Sequence, residues 1–258
     1  LYFGRYRLQR PPIGVFNLWD VGAMLAGIVV IPYLYLLLPT WLVVSLLGLA
    51  ALSMAYFCLE PLVQQRWQGW AVVLLLGASN GAALYWDGAP RTLFWAFHNL
   101  LQIIVVVGIT NLWVQSGMKA RDIALMGGLL IGYDYLFTSV LPLMDTLFRQ
   151  VGHLPFAPVV AWPTATGQWA AIGLGDLLMA AVFPLVLRKA YGSAMGQLAL
   201  GLALGTLAVV MYLAANGLFQ ETLPLMVILG PLMVIQYGLW RWQCGQERTM
   251  VQYWRAEE

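Results

Sequence analysis

The sequence predicts an all-α protein, a polytopic transmembrane helix bundle of about eight spans. Three observations predict it. The chain is 61% hydrophobic and only 9% charged, with a mean hydropathy of +0.77, where soluble domains carry about 25% charged residues. Eight apolar runs of roughly 20 residues follow one another, each long enough to cross a hydrocarbon core of ~30 Å at 1.5 Å per residue. The basic residues are also divided unevenly between the ends of these runs. Of the 13, Arg5, Arg7, Arg10, Arg66, Lys119, Arg121, Arg188, Lys189, Arg241, Arg248 and Arg255 share the side that holds both termini. Only Arg91 and Arg149 lie opposite. This is the positive-inside pattern, and it predicts an even number of spans with both termini cytoplasmic.

Taken in order, the first span runs from Leu18 to Leu38, with Asp20 at its head and Pro32 inside it. Pro39 and Thr40 turn the chain into the second, Trp41 to Leu59. The third is Gly69 to Trp86 and the fourth Thr92 to Val114. Ile123 to Met144 forms the fifth and holds Asp134; Gln168 to Leu187 forms the sixth and holds Asp176. Ala194 to Phe219 and Leu223 to Trp240 complete the set. Trp41, Trp67, Trp70, Trp86, Trp113, Trp240 and Trp242 fall near the expected ends, as interfacial anchors do. One connection is long: Asp145 to Gly167 is apolar, yet Pro155, Pro158 and Pro163 exclude a regular helix from its second half. Phe156 to Trp162 is expected to lie extended at the membrane surface. The chain reads as one membrane domain, 1–258, in which residues 1–120 carry no signature and 121–258 carry every motif described below.

Several function classes drop out. A net charge of +2, with no basic stripe, argues against a nucleic-acid partner. Cys58 and Cys244 have no histidine or second cysteine at ligand spacing, so neither metal nor cofactor is expected. His98, with Asn99 and Gln102 nearby on the same helix, reads as interhelical hydrogen bonding, as do Asn80, Asn111 and Asn216. LYFGRYRLQRPP lacks the continuous apolar stretch of a signal peptide. The expected surroundings are a lipid bilayer.

Only Asp134 and Asp176 fall deep within the expected spans; Glu60, Asp87, Asp122, Asp145 and Glu221 lie in connections. An acidic residue at the centre of a membrane helix costs roughly 2.5–3.5 kcal/mol on insertion scales, which makes function the default explanation. Asp134 stands about 20 Å along a helix from Arg121, and Asp176 about 18 Å from Arg188, so both belong near mid-membrane on antiparallel neighbours. Two carboxyls at one depth in a poorly solvated site share one proton, which suits aspartic proteolysis. Separate structural or ion-path roles are the other reading. Gly173 and Gly175 remove side chains just ahead of Asp176, opening room for a substrate or partner helix. Gly128 and Gly132, like Gly201 and Gly205, read as ordinary close-packing glycines.

Tyr133-Asp134, Gly173-Leu174-Gly175-Asp176 and Pro224-Leu225-Met226 together resemble the signatures of the presenilin and signal peptide peptidase family of intramembrane aspartyl proteases. The resemblance covers roughly Arg121 to Trp240. It departs in the third motif, where the family has Pro-Ala-Leu, and in span number, which is usually nine. It implies that Asp134 and Asp176 are the catalytic pair, with Tyr133, Gly173, Gly175, Pro224 and Leu225 supporting them or the substrate. Tyr133 is expected either to hydrogen-bond near the pair or to pack. The expected orientation looks like that of signal peptide peptidase, which implies transmembrane substrates with cytoplasmic N-termini, leftover signal peptides included. Such a substrate must unwind, and β-augmentation on Phe156–Trp162 would satisfy its backbone. The alternative is a helix bundle without enzymatic activity: a proton or cation path, a scaffold that binds transmembrane segments, or a subunit of a membrane complex.

Overall fold

A computed structural model of the chain describes residues 2–6, 16–85, 91–141, 143–164, 169–216 and 224–257. Expectations for Arg7, Arg10, Trp86, Asp87 and Glu221, and for the starts of the sixth and eighth spans at Gln168 and Leu223, lie outside these residues. The elements are α1 (Tyr2–Arg5), α2 (Leu18–Leu37), α3 (Thr40–Leu59), α4 (Arg66–Tyr85), α5 (Arg91–Gln115), α6 (Ala120–Asp134) and α7 (Leu143–Val151). After them come strands β1 (Val159–Pro163) and β2 (Trp169–Gly173), then α8 (Leu174–Tyr191), α9 (Ser193–Ala215), α10 (Met226–Cys244) and α11 (Met250–Glu257). The protein is therefore mostly helical, with one antiparallel hairpin that pairs Val159 with Gly173 and Pro163 with Trp169.

Local chemistry sets the helix boundaries. Asn17 caps α2: its Oδ1 accepts the Trp19 N–H (2.8 Å), while Asp20 Oδ2 accepts the Asn17 N–H (2.7 Å). Pro39 has no N–H to continue α2 and has the φ needed to start α3. A helix overlaps each of the eight expected stretches. Five of them, counting the 21-residue run Ala120–Val140, are long and apolar enough to cross a membrane among the described residues. The outer surface of these helices is apolar; Trp19 is 88% exposed and Leu37 80% exposed. Apolar exposure on that scale suits contact with hydrocarbon.

The fifth and sixth stretches differ from expectation. Helix α6 ends at Asp134, followed by a π-helical turn over Tyr135–Val140 in which the Leu141 N–H reaches back to the Leu136 carbonyl (2.7 Å). Leu141 is extended (φ −109°, ψ 116°), as a residue ahead of a proline prefers, so the helix breaks there instead of running on to Met144. The amphipathic α7 follows. Trp169–Gly173, expected to open the sixth span, is a strand, because the extended segment imposed by the prolines needs a hydrogen-bonding partner and these residues supply it.

The core has two main parts. Ala51 and Ala55 of α3, Val73 of α4, and Leu101 and Val105 of α5 form one. The larger one gathers Met126 (α6), Phe183 (α8), Ala199 (α9) and Leu229 (α10). Helices α6 and α10 approach closely at Gly230, where an added Cβ would lie 2.8 Å from the Gly127 carbonyl oxygen. Gly201, Gly205 and Gly132 have nothing within 4 Å of such a Cβ, and at Gly128 it would meet Val234 only at 3.5 Å. Close packing falls at other glycines, among them Gly108, where a Cβ would lie 2.7 Å from the Met54 carbonyl oxygen, and Gly196, where it would lie 2.9 Å from that of Pro184, rather than at the expected pairs. Both chain ends meet at one end of the bundle. Phe3 lies against Tyr253 (ring centroids 5.2 Å apart), and the Glu247 carboxylate accepts the Ala120 (2.9 Å) and Arg121 (3.2 Å) N–H groups, capping α6.

Candidate active site

At the far end of α6 the chain brings three distant motifs together. Asp134 is the last α-helical residue of α6, and Asp176 lies in the first turn of α8, three residues after β2 ends. The expectation that both sit within uninterrupted helices is therefore corrected: each borders a break. The helices that carry them, α6 and α8, pack against one another. Both aspartates are half-buried in the bundle.

Asp134 is held by two donors. Its Oδ1 accepts the Thr138 hydroxyl (3.0 Å) and its Oδ2 accepts the Met226 N–H (2.8 Å). The second bond uses a helix-start donor: Met226, the first residue of α10 and two residues after Pro224, carries one of the N–H groups every helix start leaves free. That donor finds Asp134, ninety-two residues earlier in the chain. Leu225 is buried in the large core and fixes the start of α10. The third motif therefore reaches the first through its backbone.

Among the described residues no hydrogen bond reaches the Asp176 carboxyl. Gly173 is extended (φ −63°, ψ 142°), a conformation open to any residue, so its value lies in space: a Cβ there would stand 3.5 Å from Asp176 Oδ2. At Gly175 a Cβ would meet nothing within 4 Å. A Cβ at residue 173 would thus rest against the Asp176 carboxyl, whereas one at residue 175 would point into open space.

Tyr133 does not reach the pair. Its hydroxyl donates to the Ile28 carbonyl of α2 (2.9 Å), and its ring packs on Phe137 (centroids 4.7 Å apart). The carbonyl is available for a specific reason: Pro32, four residues on, has no N–H with which to close the helical bond to Ile28. Tyr133 thus ties α2 to the helix that carries Asp134.

The hairpin also corrects an expectation. Val159 and Ala161 turn their backbone groups toward α5, where His98 Nε2 meets the Val159 carbonyl (3.0 Å) and Asn99 bonds both the N–H and C=O of Ala161 (3.1 and 2.6 Å). The other edge of β1 is paired with β2. Both edges of β1 are therefore occupied, and among the described residues β2 has no further strand on its other edge, where Ala171 is exposed. Asn80 is interhelical, bonding His98 Nδ1 (3.2 Å), whereas Asn111 and Asn216 bond carbonyls four residues back in their own helices.

Two strings with serine-hydrolase spacing fold into the wrong settings for nucleophiles. Gly77-Ala78-Ser79-Asn80-Gly81 lies inside α4, with no strand-to-helix elbow. Ser116-Gly117-Met118-Lys119 forms the turn between α5 and α6, and Ser116 Oγ is buried with no partner to act as base. No group of three or more metal-ligating side chains occurs among the described residues. Thr138 was legible as a hydroxyl one helical turn past Asp134; the Met226 N–H was not, because a backbone donor has no side-chain signature. The chain matches no family model and no curated protein.

Proposed function

We propose that the protein is an intramembrane aspartyl endopeptidase of the presenilin and signal peptide peptidase type, with eight spans and both termini cytoplasmic. The observation that carries this reading is the convergence at Asp134. The Tyr-Asp and proline motifs meet in one hydrogen bond, and the Gly-Leu-Gly-Asp motif opens α8, the helix packed against α6.

Roles follow from the donor sets. Hydrogen bonds to a charged group contribute about 1.5–3 kcal/mol each, and Asp134 has two. A position in a first helical turn favours an anion by only ~0.3–1 kcal/mol, and that is the advantage Asp176 has. Asp134 is therefore the ionised member and Asp176 the protonated one. Asp134 takes a proton from water as its oxygen attacks the scissile carbonyl carbon, and Asp176 gives its proton to the carbonyl oxygen. The neutral gem-diol then collapses: Asp134 gives its newly gained proton to the leaving nitrogen as the C–N bond breaks, and Asp176 takes a proton from a gem-diol hydroxyl, which returns the pair to its shared-proton state.

Substrates are single-span helices with cytoplasmic N-termini, signal peptides among them. Unwound, such a segment adds as a strand to the free edge of β2, three residues ahead of Asp176. In proteoliposomes containing a type II single-span reporter, wild type is expected to cut, while Asp134→Ala and Asp176→Ala fall to background. Cutting by both variants at the wild-type rate would refute the assignment.

A further inference from the structure

One face of α5 is devoted to the hairpin. Trp95, His98, Asn99 and Gln102 stand at i, i+3, i+4 and i+7, the spacing of a single helical stripe. Trp95 lies over Trp169 of β2 (centroids 5.6 Å apart). Gln102 Nε2 donates to the Ala157 carbonyl (2.8 Å), His98 meets Val159, and Asn99 takes both backbone groups of Ala161. The contacted residues are Ala157, in the turn that leads into β1, and Val159 and Ala161 on one edge of β1.

The proton pattern is equally determinate. A carbonyl only accepts, so His98 Nε2 carries the hydrogen and Nδ1 accepts from Asn80 Nδ2. Asn80 Oδ1 then takes the Phe156 N–H (3.2 Å), whose residue sits at φ 63°, a left-handed backbone that a phenylalanine rarely adopts. His98, Asn80 and Gln102 are all at most 1% exposed. A largely buried set of polar side chains, bonded to backbone groups, is therefore aligned along a two-stranded hairpin, an element of marginal stability by itself.

We propose that this face of α5, with Asn80, is a surrogate third strand that keeps the β1–β2 hairpin assembled before any substrate arrives. His98, Asn99 and Gln102 are positioning residues. They preset the free edge of β2, and through it the start of α8 and the placement of Asp176. The consequence for substrate rests on the proteolytic reading; the clamp itself does not.

Two measurements test it. Hydrogen–deuterium exchange on the substrate-free protein in nanodiscs should show slow exchange across 157–163 and 169–173. Asn99→Leu, which removes two bonds without opening a cavity, and His98→Leu should speed that exchange about tenfold or more, with α6 and α10 unchanged. His98→Gln, which can still donate to Val159, should remain near wild type. If Asn99→Leu fails to fold, Gln102→Leu decides, through faster exchange at 157–159. Wild-type exchange in the variant that decides would overturn the proposal. With the single-span reporter, Asn99→Leu should raise KM about tenfold while kcat stays within about twofold, because bound substrate orders the hairpin at saturation. A fall in kcat at unchanged KM would overturn the positioning role. A wild type that protects the hairpin yet cuts nothing would sink the proteolytic reading and leave the clamp standing.

Discussion

The bond between Tyr133 and Ile28 supports a double-mutant cycle that can isolate it. Tyr133→Phe removes one hydroxyl and keeps the ring on Phe137, so the loss is confined to the hydrogen bond at 2.9 Å. Interhelical hydrogen bonds in membranes average about 0.6 kcal/mol and reach about 1.7, while a polar group left unpaired costs about 1–3 kcal/mol. Pro32 removes the donor that would ordinarily serve the Ile28 carbonyl, so a value of about 1 kcal/mol is expected. Pro32→Ala restores an N–H four residues after Ile28. In that background the carbonyl has an intrahelical partner, and Tyr133→Phe should cost little. The coupling between the two substitutions should therefore be about 1 kcal/mol. Detergent-driven unfolding of wild type, both single variants and the double variant in mixed micelles measures it. If Tyr133→Phe costs the same with proline or alanine at position 32, the carbonyl freed by proline is not what Tyr133 serves.

Other outcomes follow from single contacts. Thr138→Val keeps the side-chain shape but takes one donor from Asp134; kcat on the reporter should fall about tenfold or more, equivalent to ~1.4 kcal/mol, while unfolding shifts little. A kcat unchanged by Thr138→Val would show that this donor plays no part in holding the charge. Gly230→Ala would drive a Cβ to 2.4 Å from Ile131 Cγ1 and 2.8 Å from the Gly127 carbonyl oxygen, and should destabilise the α6–α10 contact by about 1–3 kcal/mol. Gly238→Ala, on the same helix with nothing within 4 Å, should be nearly neutral in the same unfolding experiment. Equal effects from the two would contradict the packing.

The positions of the helices were legible because hydropathy and proline are local properties. Leu18, Thr40 and Ser193 open helices at or within two residues of the expected starts, since a cap or a proline acts on its immediate neighbours. The hairpin was only half legible. Pro155, Pro158 and Pro163 announced an extended segment, but a strand needs a partner, and nothing local to Trp169–Gly173 distinguishes a strand from the first turn of an apolar helix. The stripe from Trp95 to Gln102 was visible as polar residues in an apolar helix. That it binds a strand and not another helix depends on where the chain returns sixty residues later.

By itself, then, the sequence determined the apolar character of the helices, their succession and the identity of the two unusual acids, because each follows from side-chain polarity and spacing along a single chain. Only the tertiary structure decided what those acids touch. It bent the chain at Leu141, ended β2 three residues before Asp176, and aimed the first free N–H of α10 at Asp134. It also turned Tyr133 away from the pair and onto a carbonyl left open by a proline in α2. The physical reason is the same in each case. A backbone donor or acceptor is present at nearly every residue, so which one is left over, and what reaches it, is settled only when distant segments pack together.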